Sequence, residues 1–169
     1  MNIPEIMMDL DRWLRWRLIE RGDRTSKLPI TTKGKAAKST DPATWTTFEK
    51  AEASTKGNGL GFALGGGIGC IDLDGAISED GILQTWAKRI LDMTPETFIE
   101  ISQSGQGLHI WGFLPEGMGQ NLRSKGLSVE IYSGGPKSGR FIALGDQEWI
   151  KSSRELAPLH GLVQELTAA

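Results

Sequence analysis

The run Leu60-Gly61-Phe62-Ala63-Leu64, Gly65-Gly66-Gly67, Ile68-Gly69-Cys70-Ile71-Asp72-Leu73-Asp74 decides how the rest of the chain is read. Two short apolar segments flank a glycine triplet. The stretch therefore predicts two strands joined as a hairpin, with glycine supplying the positive-φ positions of the turn. Asp72 and Asp74, spaced i and i+2 on the second strand, project to one face, while Ile71 and Leu73 project to the other, into a core. Two strand rises put the carboxylates about 7 Å apart. Like charges at that spacing are costly unless a cation neutralises them, and oxygen ligands of this kind suit Mg2+ or Mn2+. The plain alternative is a strand end that dips into solvent with both aspartates exposed. The glycine run is not a dinucleotide fingerprint, because Cys70 takes the last place of G-x-G-x-x-G; nor is it a P-loop, because no G-K-[ST] follows.

Outward from this stretch, residues 3–10 have the spacing of a short helix and 13–19 alternate as a strand. Residues 22–26 turn, 27–30 are extended before a polar, basic segment 31–40 read as a mobile loop, and Asp41-Pro42 opens a helix over about 43–54. Downstream, Ser78 or Asp80 caps a helix of about 81–92 that buries Ile82, Trp86 and Ile90. Strands follow at 97–102 and 108–113, then a loop at 115–126. Further strands at 128–132 and 140–144 are joined by a turn, and a last helix covers about 159–166. Helices that punctuate antiparallel strand pairs, with no repeat or linker, predict an α+β fold. It is read as a single domain over residues 1–169, a mixed, mainly antiparallel sheet with flanking helices.

Composition removes other classes. Glycine supplies 22 of 169 residues, nineteen of them between Gly57 and Gly145, with neither the period of collagen nor the repeats of a flexible linker. One cysteine excludes a disulfide scaffold and a zinc site built on several thiolates, and two histidines exclude a His-rich metal centre. Residues 1–11 carry three acids and no base, and no apolar stretch reaches ten residues. No signal peptide or membrane span is expected, and the expected compartment is the cytoplasm. The net charge of −2 hides an asymmetry: residues 12–38 hold nine basic side chains against two acidic ones. Arg15, Arg17, Lys27, Lys33 and Lys35 in that segment suit a nucleic-acid backbone, the alternative being a solvated face.

Three further residues could do chemistry. Glu130 shares one face of its strand with Ser128 and Tyr132; beside the aspartate strand it would be a third carboxylate, and elsewhere merely a solvated one. His109 follows Ser104-Gly105-Gln106-Gly107. It could bond a phosphate oxygen while the glycine turn offers backbone N–H groups to the same anion, or it could be an ordinary surface histidine. Arg140 could clamp a terminal phosphate, or lie solvated at its strand end.

Taken in order, Asp72-x-Asp74, Ser104-Gly105-x-Gly107-x-His109 and Glu130-x-Tyr132 followed by Gly139-Arg140-Phe141 resemble the three motifs of the archaeo-eukaryotic primase superfamily. The closest likeness is to the primase-polymerase domains of phages and plasmids. Lys27-x-Pro29 and Ser39-x-Asp41-Pro42-x-Thr44-Trp45 look like that group too, and the resemblance spans residues 16–145. It implies an RRM-like catalytic core. It implies Asp72, Asp74 and Glu130 as ligands of two divalent ions, Mg2+ or Mn2+ and not zinc. It further implies His109, with Ser104, Gly105 and Arg140, as contacts of an incoming NTP or dNTP. Asp72, Asp74, Glu130 and His109 are the expected catalytic set. The implied partners are a single-stranded DNA template and a replicative helicase, in the same or a partner chain, in the host cytoplasm of a phage or plasmid. Relatives often continue past this domain; this chain stops at Ala169, as either a catalytic fragment or a stand-alone enzyme with a partner.

The expected function is thus template-directed nucleotidyl transfer, as a DNA primase, a DNA polymerase or both. Two other readings use the same residues. One is a metal-dependent nuclease or phosphohydrolase, with water in place of a 3′-OH. The other is a single-strand-binding module without turnover, in which Trp13 and Trp16 stack on bases.

Overall fold

In the computed structural model, which describes residues 1–168, the chain runs through α1 (Glu5–Met8), β1 (Trp13–Arg21), β2 (Arg24–Ile30), α2 (Phe48–Ala53), β3 (Gly59–Ala63), β4 (Ile68–Leu73), α3 (Thr85–Met93), β5 (Ile99–Ile101), β6 (Leu108–Phe113), β7 (Gln120–Asn121), β8 (Val129–Tyr132), β9 (Phe141–Ala143), β10 (Gln147–Glu148), β11 (Ala157–Pro158) and α4 (His160–Thr167). The smaller sheet has the order β2-β1-β3-β9 and the larger one β10-β5-β6-β4-β8-β7, with β11 added beside β6. The β11–β6 pair is parallel and the other ladders are antiparallel, so the mixed, mainly antiparallel α+β class holds. Four strands of the larger sheet, β8-β4-β6-β5, have the split β-α-β connectivity of an RRM-like core: α3 carries the chain from β4 to β5, and β6 inserts between them. A 3-10 turn at Arg123–Lys125 stands where such a core would place its second helix.

Strand alternation sorts the larger sheet into two apolar faces. Ile71, Leu73, Leu108, Ile110, Val129 and Ile131 face α3 and α4, which contribute Ala87, Ile90, Leu162, Val163 and Leu166. On the other face Cys70 and Trp111 meet Trp13, Phe62 and Ile142 of the smaller sheet. Trp13, Phe62 and Trp111 form an edge-to-face stack across that interface, with centroids 5.0 and 5.8 Å apart.

The predicted hairpin between β3 and β4 does not form. One bridge joins Gly65 to Ile68; β3 then pairs with β1 and β9, and β4 with β6 and β8. The strands 128–132 and 140–144 separate in the same way, since β8 joins β4 while β9 joins β3. Both turns carry the chain from one sheet to the other. They are packed together: a Cβ on Gly134, at φ 71°, would collide with the carbonyl of Leu64. Burying Phe62 and Cys70 from opposite sides of one core outweighs pairing their strands.

The helix expected at 43–54 is two pieces. Asp41 caps a 3-10 turn at Pro42–Thr44 by accepting the Ala43 N–H, and α2 begins at Phe48. Thr46 between them exchanges backbone hydrogen bonds with Trp13, which pulls it out of any helix. The helix expected at 81–92 begins at Thr85, because Ile77 bridges Leu83 and Ser78 Oγ accepts the Ile82 N–H. Ile82 is consequently 62% exposed rather than buried. The segment 31–40, read as a mobile loop, is tied back by Ala37 N–H donating to Pro29 and by a bridge from Ala36 to Ile30. Among the described residues, no helix is long and apolar enough to cross a membrane.

Candidate active site

Strand register sets one polar row across the larger sheet. Glu100 on β5, His109 on β6, Asp72 on β4 and Glu130 on β8 are successive cross-strand partners. In the next row on the same face, Cys70 and Trp111 are fully buried and Tyr132 is half-buried. Asp72, by contrast, has a side chain 27% exposed, so the row lies where the cover from the smaller sheet gives out. Asp74 follows β4 and is anchored by its N–H to the Ser128 carbonyl at 3.0 Å.

One end of the row is buried. Glu100 accepts from His109 Nδ1 at 2.9 Å, Trp111 Nε1 at 3.1 Å and the Gly145 N–H at 2.9 Å. Its carboxylate is thereby satisfied without water. Binding Nδ1 directs Nε2 of His109 toward Asp72, 3.7 Å from Oδ1. Burial works against a charged imidazole here. The hydrogen bond and attraction to Glu100, with the charge of Asp72, overcome it and leave the His109 pKa above its ordinary value. Asp72 also titrates above the usual carboxylate range, mainly through burial and then through Asp74 and Glu130, against the pull of His109 and Lys27.

The other end is open. Arg123 Nε donates to Glu130 Oε1 at 2.9 Å, and its Nη2 donates to Asp74 Oδ2 at 2.7 Å. Tyr132 O–H donates to the second Glu130 oxygen. Partial burial would raise the Glu130 pKa; the bonds from Tyr132 and Arg123 and the charge of Arg140 bring it below the ordinary value. Arg140 lies over the Tyr132 ring, 5.2 Å from its centroid. A cavity of about 240 Å³ opens beside this end, lined in part by Asn121, Glu130, Tyr132, Ser138 and Arg140. A larger cleft of about 950 Å³ beside the N-terminal segment contains none of these residues.

Lys27 faces the row. It pairs with Leu18 across β1–β2, stands 5.9 Å from the Trp16 ring centroid, and its charge acts on both Asp72 and His109. Strand alternation puts Arg15 and Arg17 on the opposite side of that ribbon. Arg15 is occupied there by the carbonyls of Lys56 and Ala51, whereas Arg17, Lys33 and Lys35 are exposed. The basic segment is therefore two surfaces rather than one. Trp13 and Trp16 are 0% and 2% exposed, so neither is the stacking platform that the binding-module reading needs.

The turn before His109 also differs from expectation. Its Gly105, Gln106 and Gly107 N–H groups already donate to Ser102 O, Ser104 Oγ and Ser102 Oγ, so none of these three is free for an anion. Ser104 and Gly105 are nonetheless exposed at the Asp74 end of the sheet. Sequence reading missed Glu100 and Arg123. Glu100 carried a usable signal, because an acid between Ile99 and Ile101 falls opposite His109 once the two strands are paired. Arg123 sits in what reads as loop and carried none.

Among the described residues, no three His, Cys, Asp or Glu side chains stand close enough to hold a metal ion as they are placed. Asp74 and Glu130 are instead joined through Arg123. The chemistry of the set still fits a hard divalent cation. Asp72 and Glu130 are direct register partners with Asp74 alongside, and a cationic guanidinium already bridges two of the three.

Comparison with known proteins identifies the family. A DNA primase-polymerase of Nitratiruptor phage NrS-1 is 34% identical over 154 residues, covering 85% of this chain and 20% of that protein. The chain thus spans about a fifth of the length of this relative. Residues 11–159 match the family model described as bifunctional DNA primase/polymerase, N-terminal. That span takes in both sheets and the whole polar row, and the chain belongs to the bifunctional DNA primase/polymerase N-terminal family.

Proposed function

We propose that this domain catalyses template-directed nucleotidyl transfer on single-stranded DNA, as a DNA primase, a DNA polymerase or both. The observation that carries the reading is the register of the polar row: Asp72 stands between Glu130 and His109, with Asp74 beside it. Residues from three strands, far apart in sequence, converge in one row that is buried at His109 and opens toward Asp74. The named activity of the phage relative supports the same reading.

In this reading Asp72, Asp74 and Glu130 hold divalent ions, Mg2+ or Mn2+. When bound, such ions lower the pKa of a 3′-OH and neutralise charge on a triphosphate. The chain's own groups do the positioning. His109, its Nδ1 fixed by Glu100, presents Nε2 as a donor to a phosphate oxygen on the open side of the row. Arg140 and the cavity beside Glu130 and Tyr132 receive the nucleotide, with Arg140 as the phosphate contact. Lys27 adds positive charge over the Asp72–His109 pair. Arg17, Lys33 and Lys35 are exposed and suit the template backbone.

The test is nucleotide incorporation on primed and unprimed single-stranded DNA with Mn2+ or Mg2+. The parent should incorporate NTPs or dNTPs, and the Asp72→Ala, Asp74→Ala double variant should not. Incorporation that survives the double substitution rules this site out.

A further inference from the structure

The turn carrying Arg123 is built to aim it. Asn121 Oδ1 accepts the Arg123 backbone N–H at 2.9 Å, Leu122 is buried in the core beneath α3 and α4, and Gly126 closes the turn at φ 80°. From that base the guanidinium reaches Asp74 and Glu130 together, with side chains 46% exposed for Arg123, 61% for Asp74 and 17% for Glu130. We propose that Arg123 is a built-in competitor of the divalent ion. It bridges Asp74 and Glu130 in the resting domain, offsetting part of their charge, and is released when the ion arrives. The inference rests on the metal reading given above.

Two physical facts support the exchange. A guanidinium this open to water is held weakly, because solvent screens the pair. A divalent ion brings twice the charge to the same oxygens, which cannot serve both cations at full strength. Lys125, in the same turn, is not part of the device: its ammonium is directed to the Thr167 carbonyl, 3.5 Å away.

The experiment is a Mn2+ titration of the whole domain, followed by the electron paramagnetic resonance signal of free Mn2+, without nucleotide or DNA. Arg123→Gln should tighten Mn2+ binding about fivefold, the scale expected for loss of an exposed ion pair. Lys125→Gln makes the same change in net charge and should move affinity by less than about twofold. Asp74→Asn should weaken binding, which ties the signal to this site. Circular dichroism confirms that each variant is folded. The proposal is overturned if Arg123→Gln binds no tighter than the parent, or if Lys125→Gln tightens binding equally. If the parent binds Mn2+ through Asp74 and Arg123→Gln changes nothing, this inference alone falls. If neither binds Mn2+, the metal reading falls and takes this inference with it.

Discussion

At one end of the polar row Glu100 and His109 are shielded from water and every acceptor is matched to a donor. At the other, Glu130 and Asp74 meet a guanidinium that is nearly half exposed. The same sheet thus carries two kinds of electrostatics. The buried end fixes geometry, because each bond lost there leaves a polar group stranded. The open end exchanges partners, because each bond lost there is replaced by water.

The contrast is broken most severely by Glu100→Ala. It strands His109, Trp111 and Gly145, and should cost about 3–5 kcal/mol of stability by chemical denaturation, as for removal of one member of a buried ion pair. Next in size is Asp72→Asn, which should lower nucleotide incorporation at least about 100-fold. Because burial already disfavours the charged form of Asp72, the thermal midpoint should hold or rise, and a fall would mean that the residue is structural. The third effect is a pH dependence. His109 titrates above its ordinary 6.5, so its contribution to stability is complete below about pH 6.5 and is lost as pH rises through the higher native value. Denaturation midpoints from about pH 6 to pH 9 should show that decline, and Glu100→Gln should flatten it. The smallest effect belongs to the open end: Arg123→Ala should change metal-free stability by only about 0.5 kcal/mol in the same assay. A loss of several kcal/mol would erase the distinction between the two ends.

Much of this was legible from sequence, for reasons that differ by residue. The faces of β6 and β8 follow from period-two alternation, which puts His109 beside Trp111 and Glu130 beside Tyr132. That Glu130 stands opposite Asp72 is a matter of register between strands more than fifty residues apart, which no local pattern encodes. The family resemblance supplied that link. The sheet changes at Gly65–Gly67 and Gly134–Gly135 were misread because a positive-φ glycine turn looks alike whether its strands pair or part. Arg123 was invisible because a 3-10 turn between short strands has no periodicity to reveal it.

The paired sheet changes have a consequence for how the molecule comes apart. The smaller sheet draws its strands from Trp13–Ile30, Gly59–Ala63 and Phe141–Ala143, and the larger from the segments between and after. Neither is one continuous stretch of chain, so the two are tied together at each crossing between them. Backbone amides of β4 and β9, in different sheets, should therefore exchange with solvent at matching free energies, as one cooperative foldon. Lys27 and the Asp72–His109 pair, held on different sheets, are placed relative to one another only when that whole unit is assembled.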